Sequence, residues 1–113
     1  MAYDEELAER IRGRVASEPG VSEQRMFGGL AFLIGGNMAV AASSQGGLLA
    51  RVDPAQAESL SDGSDVAPMV MRGREMRGWL HVEPAVVRSE AELDRWVNRC
   101  VTYARSLPAK SKG

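Results

Sequence analysis

The chain has 113 residues, the length of a single domain, because one hydrophobic core typically serves about 100–150 residues. Apolar residues make up 44% of it, charged residues 26%, and the net charge is −1. This balance gives no overall attraction to nucleic acid or to anionic lipid, so any basic site must be local. The single cysteine excludes an intramolecular disulfide and a multi-cysteine metal site.

The amino terminus, MAYDEELAER, is acidic and polar, which is unlike a signal peptide. No apolar run approaches the roughly 20 residues of a membrane-spanning helix. We therefore expect a cytoplasmic protein with no membrane partner.

The first predicted element is a helix over residues 3–18, with Leu7, Ile11 and Val15 spaced four apart beside Ala8. A proline and a glycine at positions 19 and 20 end it. Residues 24–34 then predict one strand. Its even positions (Met26, Leu30, Phe32, Ile34) share one face, and the other face carries Arg25, Phe27, Ala31 and Leu33.

Two more strands are predicted over residues 38–44 and 48–52, separated by short glycine-rich turns at 35–37 and 45–47. Such short connections indicate a three-strand antiparallel meander. Asp53 and Pro54 are typical of a helix start, which predicts a short helix over residues 54–60. Residues 61–68 are expected to be loop.

Residues 69–84 predict a second hairpin that turns near Gly73. A last helix opens at Ser89 with the spacing of a capping box, and Pro108 ends it. Its apolar positions fall on one face: Leu93, Trp96, Val97, Cys100, Val101 and Ala104. The predicted fold is α+β, with a central antiparallel sheet packed against the terminal helices as a two-layer sandwich. One domain over residues 1–108 and a basic disordered tail over 109–113 complete the organisation.

The paired glycines of RMFGGLAFLIGGNMAV do not fit a phosphate-binding loop, because no lysine and no helix follow them. Gly28 and Gly29 are better explained by a bulge or a close approach of two backbones. Gly35 and Gly36 are better explained by a tight turn.

No catalytic constellation is found, so we expect a protein that is not an enzyme and needs no cofactor or metal. His81 is the only histidine, and its only possible thiol partner, Cys100, falls on the apolar face of the last helix. The acidic residues of the first helix cap and solvate it, and no acid–base pair is visible among them.

Two groups of side chains are candidates for partner contacts. Arg72, Arg74 and Arg77 surround Gly73 with Trp79 close behind, which could bind a phosphate and a stacked base, although a solvated hairpin is the favoured explanation. Three methionines offer an adaptable apolar surface for a partner protein, although core packing is the favoured explanation: Met69, Met71 and Met76.

Five segments in this order resemble the TfoX (Sxy) amino-terminal domain family: RMFGGLAF, GGNMAV, LLARVDP, PMVMRGREMRGW and LDRWVNRCVTYARSLP. The resemblance runs from about Tyr3 to Pro108, and Arg25 to Gly29 is its most specific piece. It implies an α+β domain of a bacterial, cytoplasmic protein, often a dimer, related to a regulator of competence genes. The family has no established catalytic residues.

The full regulators carry a second domain that looks like a helix-hairpin-helix nucleic-acid module. The chain ends at Gly113 after one domain, so we expect a stand-alone member. The favoured function is a non-catalytic protein-interaction module linked to transcription regulation, with an unknown protein partner or a second copy of the chain. One alternative is direct nucleic-acid binding through Arg72, Arg74 and Arg77 with the lysines of the tail. The other is a small-molecule site lined by Met76, Trp79 and His81.

Overall fold

A computed structural model describes residues 3–26, 29–44, 46–62, 64–71 and 73–108. The tail predicted over 109–113 therefore lies outside the described residues. Within these ranges no helix is both long and apolar enough to cross a membrane. Four helices are present there: α1 (Glu5–Val15), α2 (Pro54–Leu60), α3 (Pro84–Val87) and α4 (Glu90–Ser106).

Six strands of the described residues form one sheet: β1 (Val21–Met26), β2 (Gly29–Ile34), β3 (Asn37–Ala42), β4 (Leu48–Arg51), β5 (Val66–Met71) and β6 (Arg74–Val82). All neighbours pair antiparallel, in the order β1-β2-β3-β4-β6-β5. The first four strands form a meander, and β6 then pairs with β4. Consequently β5 lies outside β6, and the two edges of the sheet are β1 and β5.

The prediction of one strand over residues 24–34 is wrong, because this segment forms two strands. β1 pairs antiparallel with β2 so that Met26 lies opposite Gly29, and positions 27 and 28 lie outside the described residues. The glycine pair at 28 and 29 was the available turn signal, but the sequence analysis explained it by a bulge or a close approach of two backbones. The meander therefore has four strands rather than three.

Two smaller differences concern the second half of the chain. The loop predicted over residues 61–68 is too long, since β5 begins at Val66. Asp62 organises the preceding turn, where its carboxylate accepts hydrogen bonds from the Ser64 and Val66 amides. The short helix α3 was not predicted, although Pro84 at its first position is a typical helix start.

The glycine turn between β2 and β3 is confirmed. Gly35 and Gly36 have φ of 60° and 83°, so both occupy the left-handed region that a two-residue type I′ hairpin demands. The close approach at Gly29 is also confirmed, because a Cβ there would lie 2.1 Å from the Ala42 carbonyl oxygen. Gly28 lies outside the described residues.

All four helices pack on one face of the sheet. The apolar stripe predicted for α4 is confirmed residue by residue, and so is that of α1. These stripes meet the inward side chains of the strands in one large cluster, here called the first cluster, in which Phe32, Val40 and Leu80 are almost completely buried. The molecule is therefore a two-layer α+β fold, as predicted.

Side-chain caps fix the helix starts as the sequence predicts. Asp53 accepts a hydrogen bond from the Ala55 amide at 2.9 Å, and Ser89 accepts one from the Glu92 amide at 3.3 Å. The end of α4 is held from the sheet, because the buried Asn37 side chain donates to the Pro108 carbonyl at 2.9 Å. The last described residues are thus tied to the β2–β3 hairpin.

Candidate functional site

The sheet face opposite the helices carries a smaller apolar cluster, here called the second cluster. Among the described residues it consists of strand residues alone, which are Ala31, Met38, Ala41 and Leu49. They are almost fully buried, and three larger, partly exposed side chains pack against them: Leu33, Met69 and Trp79. This face is therefore apolar although no described helix contributes to it.

Alternation along the strands produces this arrangement. Ala31 and Leu33 point away from the helices because Leu30, Phe32 and Ile34 point toward them. An irregularity between Phe32 and Leu33 shifts the register against β3, so that Leu33 lies opposite Met38. The sequence prediction placed Ala31 and Leu33 on this face but gave the face no role.

Trp79 lies on the second cluster through its position in β6. It is directly opposite Arg51 of β4, whose guanidinium carbon lies 5.5 Å from the centre of the Trp79 ring. A guanidinium over an indole face is a favourable cation–π contact and holds the ring in place. The same guanidinium lies 5.8 Å from the ring of Tyr103 on α4.

The two edge strands differ in character. The charged residues Glu23 and Arg25 lie on β1, and charges on an edge discourage pairing with another chain. The other edge, β5, reads VAPMVM and has no charge at all. Val70 on this edge is 55% exposed and is the large apolar residue most open to solvent among those described.

The three candidate methionines do not share one surface as far as the structure describes them. Met69 packs on the second cluster, whereas Met76 lines a groove of about 490 Å³ between α2 and the hairpin of β5 and β6. The side chain of Met71 lies outside the description. Their use by a partner stays a prediction, and only Met69 adjoins the charge-free edge.

The candidate arginines are only partly described. Arg74 is exposed at the start of β6, directly after Gly73, whose φ of 77° confirms the predicted hairpin turn. Arg72 and the side chain of Arg77 lie outside the described part of the chain. Nucleic-acid binding through these arginines stays a prediction.

The residues suggested for a small-molecule site are not all brought together. Met76 and Trp79 both line the groove beside α2, together with the carboxylates of Glu58 and Glu75. His81 is absent from its lining. Its Nε2 lies 2.8 Å from the Gly46 carbonyl oxygen, and its Nδ1 lies 3.5 Å from a carboxylate oxygen of Glu83.

Cys100 and His81 lie on opposite sides of the sheet. Cys100 belongs to the first cluster, and burial raises the pKa of its thiol to about 12, so that the thiolate is scarce at neutral pH. His81 alternates with Leu80 and Val82 and so points to the other face. Within the described ranges no three His, Cys, Asp or Glu side chains group together as metal ligands would.

Comparison with known proteins identifies a family. The model of the TfoX N-terminal domain matches residues 14–104, which is most of the chain. The chain belongs to the TfoX N-terminal domain family. The resemblance inferred from the sequence motifs is thereby confirmed, over a slightly shorter range. No significant match was found among the curated proteins or among the solved structures.

Proposed function

We propose that this member of the TfoX N-terminal domain family is a non-catalytic protein-interaction module that acts in the regulation of gene expression. The observation that carries the proposal is the helix-free face of the sheet, where the second cluster runs to an edge strand without charges. The link to gene regulation rests on the resemblance to the competence regulator.

The proposed contact surface combines the partly exposed side chains of Met69 and Trp79, which pack on the second cluster, with Val70, which is exposed on the edge strand β5. A partly exposed apolar face beside a charge-free edge favours a partner that is itself apolar and extended, because such a segment can pair with β5 and cover the face. Aromatic and methionine side chains are enriched at such contacts.

The non-catalytic half of the proposal is supported by the chemistry of the two most reactive side chains. The Cys100 thiol is buried and protonated, and His81 lies on the other face with Gly46 and Glu83 as neighbours. Neither is placed to activate the other.

An affinity capture from native lysate tests the proposal with a pair of variants. Val70→Asp places a carboxylate on the proposed surface, and Ser22→Asp places one on the opposite edge strand, where the residue is also exposed. We expect Val70→Asp to lose the captured proteins and Ser22→Asp to retain them. Circular dichroism of both variants checks that the fold is intact.

Nuclease treatment of the same lysate separates this proposal from nucleic-acid binding. Proteins captured equally with and without nuclease support a direct protein contact. Loss of all captured proteins on nuclease treatment, together with retention by Val70→Asp, would refute the proposed surface and favour binding through the arginines around Gly73. The variants Cys100→Ala and His81→Gln should capture the same proteins as the wild type, since no covalent chemistry is involved.

A further inference from the structure

A second groove lies on the helical side of the molecule, between α2 and α4, and is here called the α2–α4 groove. Its volume is about 570 Å³, within the roughly 300–1,000 Å³ of small-molecule sites. α4 contributes one continuous polar face to it, from Arg95 to Ser106, which extends about 16 Å along the helix axis. Gln56 and Asp53 form the opposite wall. The groove is lined by none of the three residues proposed for protein contacts, although the Arg51 side chain lies between its Tyr103 and Trp79 of that surface.

The charged groups of the groove favour an anion. Arg95 and Arg99 line it, one helical turn apart on α4, against the single carboxylate of Asp53. One oxygen of that carboxylate is already occupied as the cap of α2. Arg51 does not line the groove, but its guanidinium carbon lies 5.8 Å from the ring of Tyr103, which does. Positive charge is therefore concentrated here although the chain as a whole has a net charge of −1.

Arg99 is held in place and is available to a ligand. Its guanidinium carbon lies 4.7 Å from the centre of the Trp96 ring, a stacking contact that orders the side chain without using its N–H groups. In the part of the chain that the structure describes, Arg99 makes no ion pair or side-chain hydrogen bond. One N–H group of Arg95 contacts the Glu92 carboxylate at 3.2 Å, and its other N–H groups are open to a ligand. Two forked donors on one helix face suit a phosphate group.

The remaining wall suits an aromatic base. Tyr103, four residues after Arg99 and so on the same face of α4, is half-buried and presents a ring to the groove. Asn98, Thr102 and Gln56 add neutral donors and acceptors around it. An aromatic side chain one helical turn from a guanidinium group on the same helix face offers both a stacking surface and a phosphate ligand.

We propose that the α2–α4 groove binds a small phosphate ester of an aromatic base, such as a nucleoside 5′-monophosphate. Arg95 and Arg99 bind the phosphate, and Tyr103 stacks on the base. This site is independent of the proposed protein-interaction surface, so either proposal can fail without the other.

Amide chemical shifts of the ¹⁵N-labelled chain, titrated with adenosine 5′-monophosphate, test the proposal. We expect saturable changes on the polar face of α4 and at the start of α2, and smaller affinities for adenosine alone and for inorganic phosphate alone. Arg99→Gln should weaken binding of the monophosphate about tenfold, since a hydrogen bond to a charged group is lost. Tyr103→Leu should weaken binding of the monophosphate but not of inorganic phosphate.

Arg25→Gln is the matched control, because it removes the same charge from an exposed position on β1. It should leave the affinity unchanged. Absence of localised shift changes would overturn the proposal, as would equal weakening by Arg99→Gln and Arg25→Gln. Equal affinity for inorganic phosphate and for the monophosphate would show that the base does not contribute to binding, and would overturn the assignment of Tyr103. Tighter, Arg99-dependent binding of a short single-stranded oligonucleotide would make polymeric nucleic acid the ligand and overturn the small-molecule assignment.

Discussion

Gly29 lies where β2 and β3 approach most closely, and no larger residue fits there. A Cβ would lie 2.1 Å from the Ala42 carbonyl oxygen, which belongs to the backbone and cannot swing aside. We expect Gly29→Ala to lower the free energy of unfolding by about 1–3 kcal/mol, the usual cost of overpacking. Urea denaturation monitored by circular dichroism measures it.

Gly13 is the matched control for this prediction, because a Cβ there meets no atom within 4 Å and the residue lies in α1. Gly13→Ala should raise the free energy of unfolding by about 0.5–1 kcal/mol, since alanine is the better helix former. The same glycine-to-alanine substitution should therefore change the free energy of unfolding in opposite directions at the two positions. Equal effects would contradict the close approach at Gly29.

Because the Cys100 thiol is buried, the stability of the fold should depend on pH in the alkaline range. The folded chain holds the pKa of the thiol at about 12, chiefly through desolvation, whereas the unfolded chain ionises it near its ordinary value. The unfolded state therefore loses its proton first as the pH rises. The stabilising contribution is complete below the ordinary pKa and is lost between there and about pH 12.

We expect the wild type to lose stability faster than Cys100→Ala above the ordinary thiol pKa, by up to about 1.4 kcal/mol per pH unit. Denaturation of both proteins at a series of alkaline pH values gives the difference, in which other titrating groups cancel. If the stabilities of the two proteins fell in parallel as the pH rises, the thiol would have the same pKa in the folded and the unfolded chain, which would contradict the prediction.

At the scale of elements, α1 and α4 are joined by an ionic network. Arg14 contacts both Glu90 and Asp94, and Arg10 contacts Glu90 at 2.9 Å. The hydrogen bond from Arg14 lowers the pKa of Glu90. The network joins the start of α4 to α1, since Glu90 is the first residue of α4.

Because the folded pKa of Glu90 is depressed, its contribution to stability is present above its ordinary pKa and is lost as the pH falls through the folded value. We expect Glu90→Gln to be less stable than the wild type at neutral pH, with a difference that shrinks in acid. Thermal unfolding at several pH values measures it. Glu58→Gln is the matched control, because it removes an exposed carboxylate without an ion pair among the described residues, and it should be about as stable as the wild type at neutral pH.

At the scale of the whole molecule, the sequence predicted what depends on local pattern. The buried faces of α1 and α4, the caps at Asp53 and Ser89 and the turn at Gly35 follow from spacing and residue type, because each involves neighbours in the chain. These features place the helices on one side of the sheet. They also account for the fold class.

The features that the sequence did not predict depend on contacts between distant segments. The reversal between β1 and β2 was missed because a glycine pair fits a bulge as well as a turn, and the pairing of Met26 with Gly29 decides between them. The second cluster unites Ala31 with Leu49 and Met69 across strands whose order no local pattern reveals. The α2–α4 groove likewise joins Asp53 to Arg95 and Arg99, some forty residues later in the chain. The apolar character of both faces of β3 was the one available signal for the second cluster, since such strands are covered on both sides.

The central claim is that a partner protein binds the charge-free edge and the helix-free face. Hydrogen–deuterium exchange of the chain, alone and with a protein recovered by affinity capture, tests it most directly. We predict slower exchange of backbone amides in β5 and in the part of β6 around Trp79, with α1 and α4 unchanged. Slower exchange confined to α1 and α4 would contradict the claim and place the partner on the helical side.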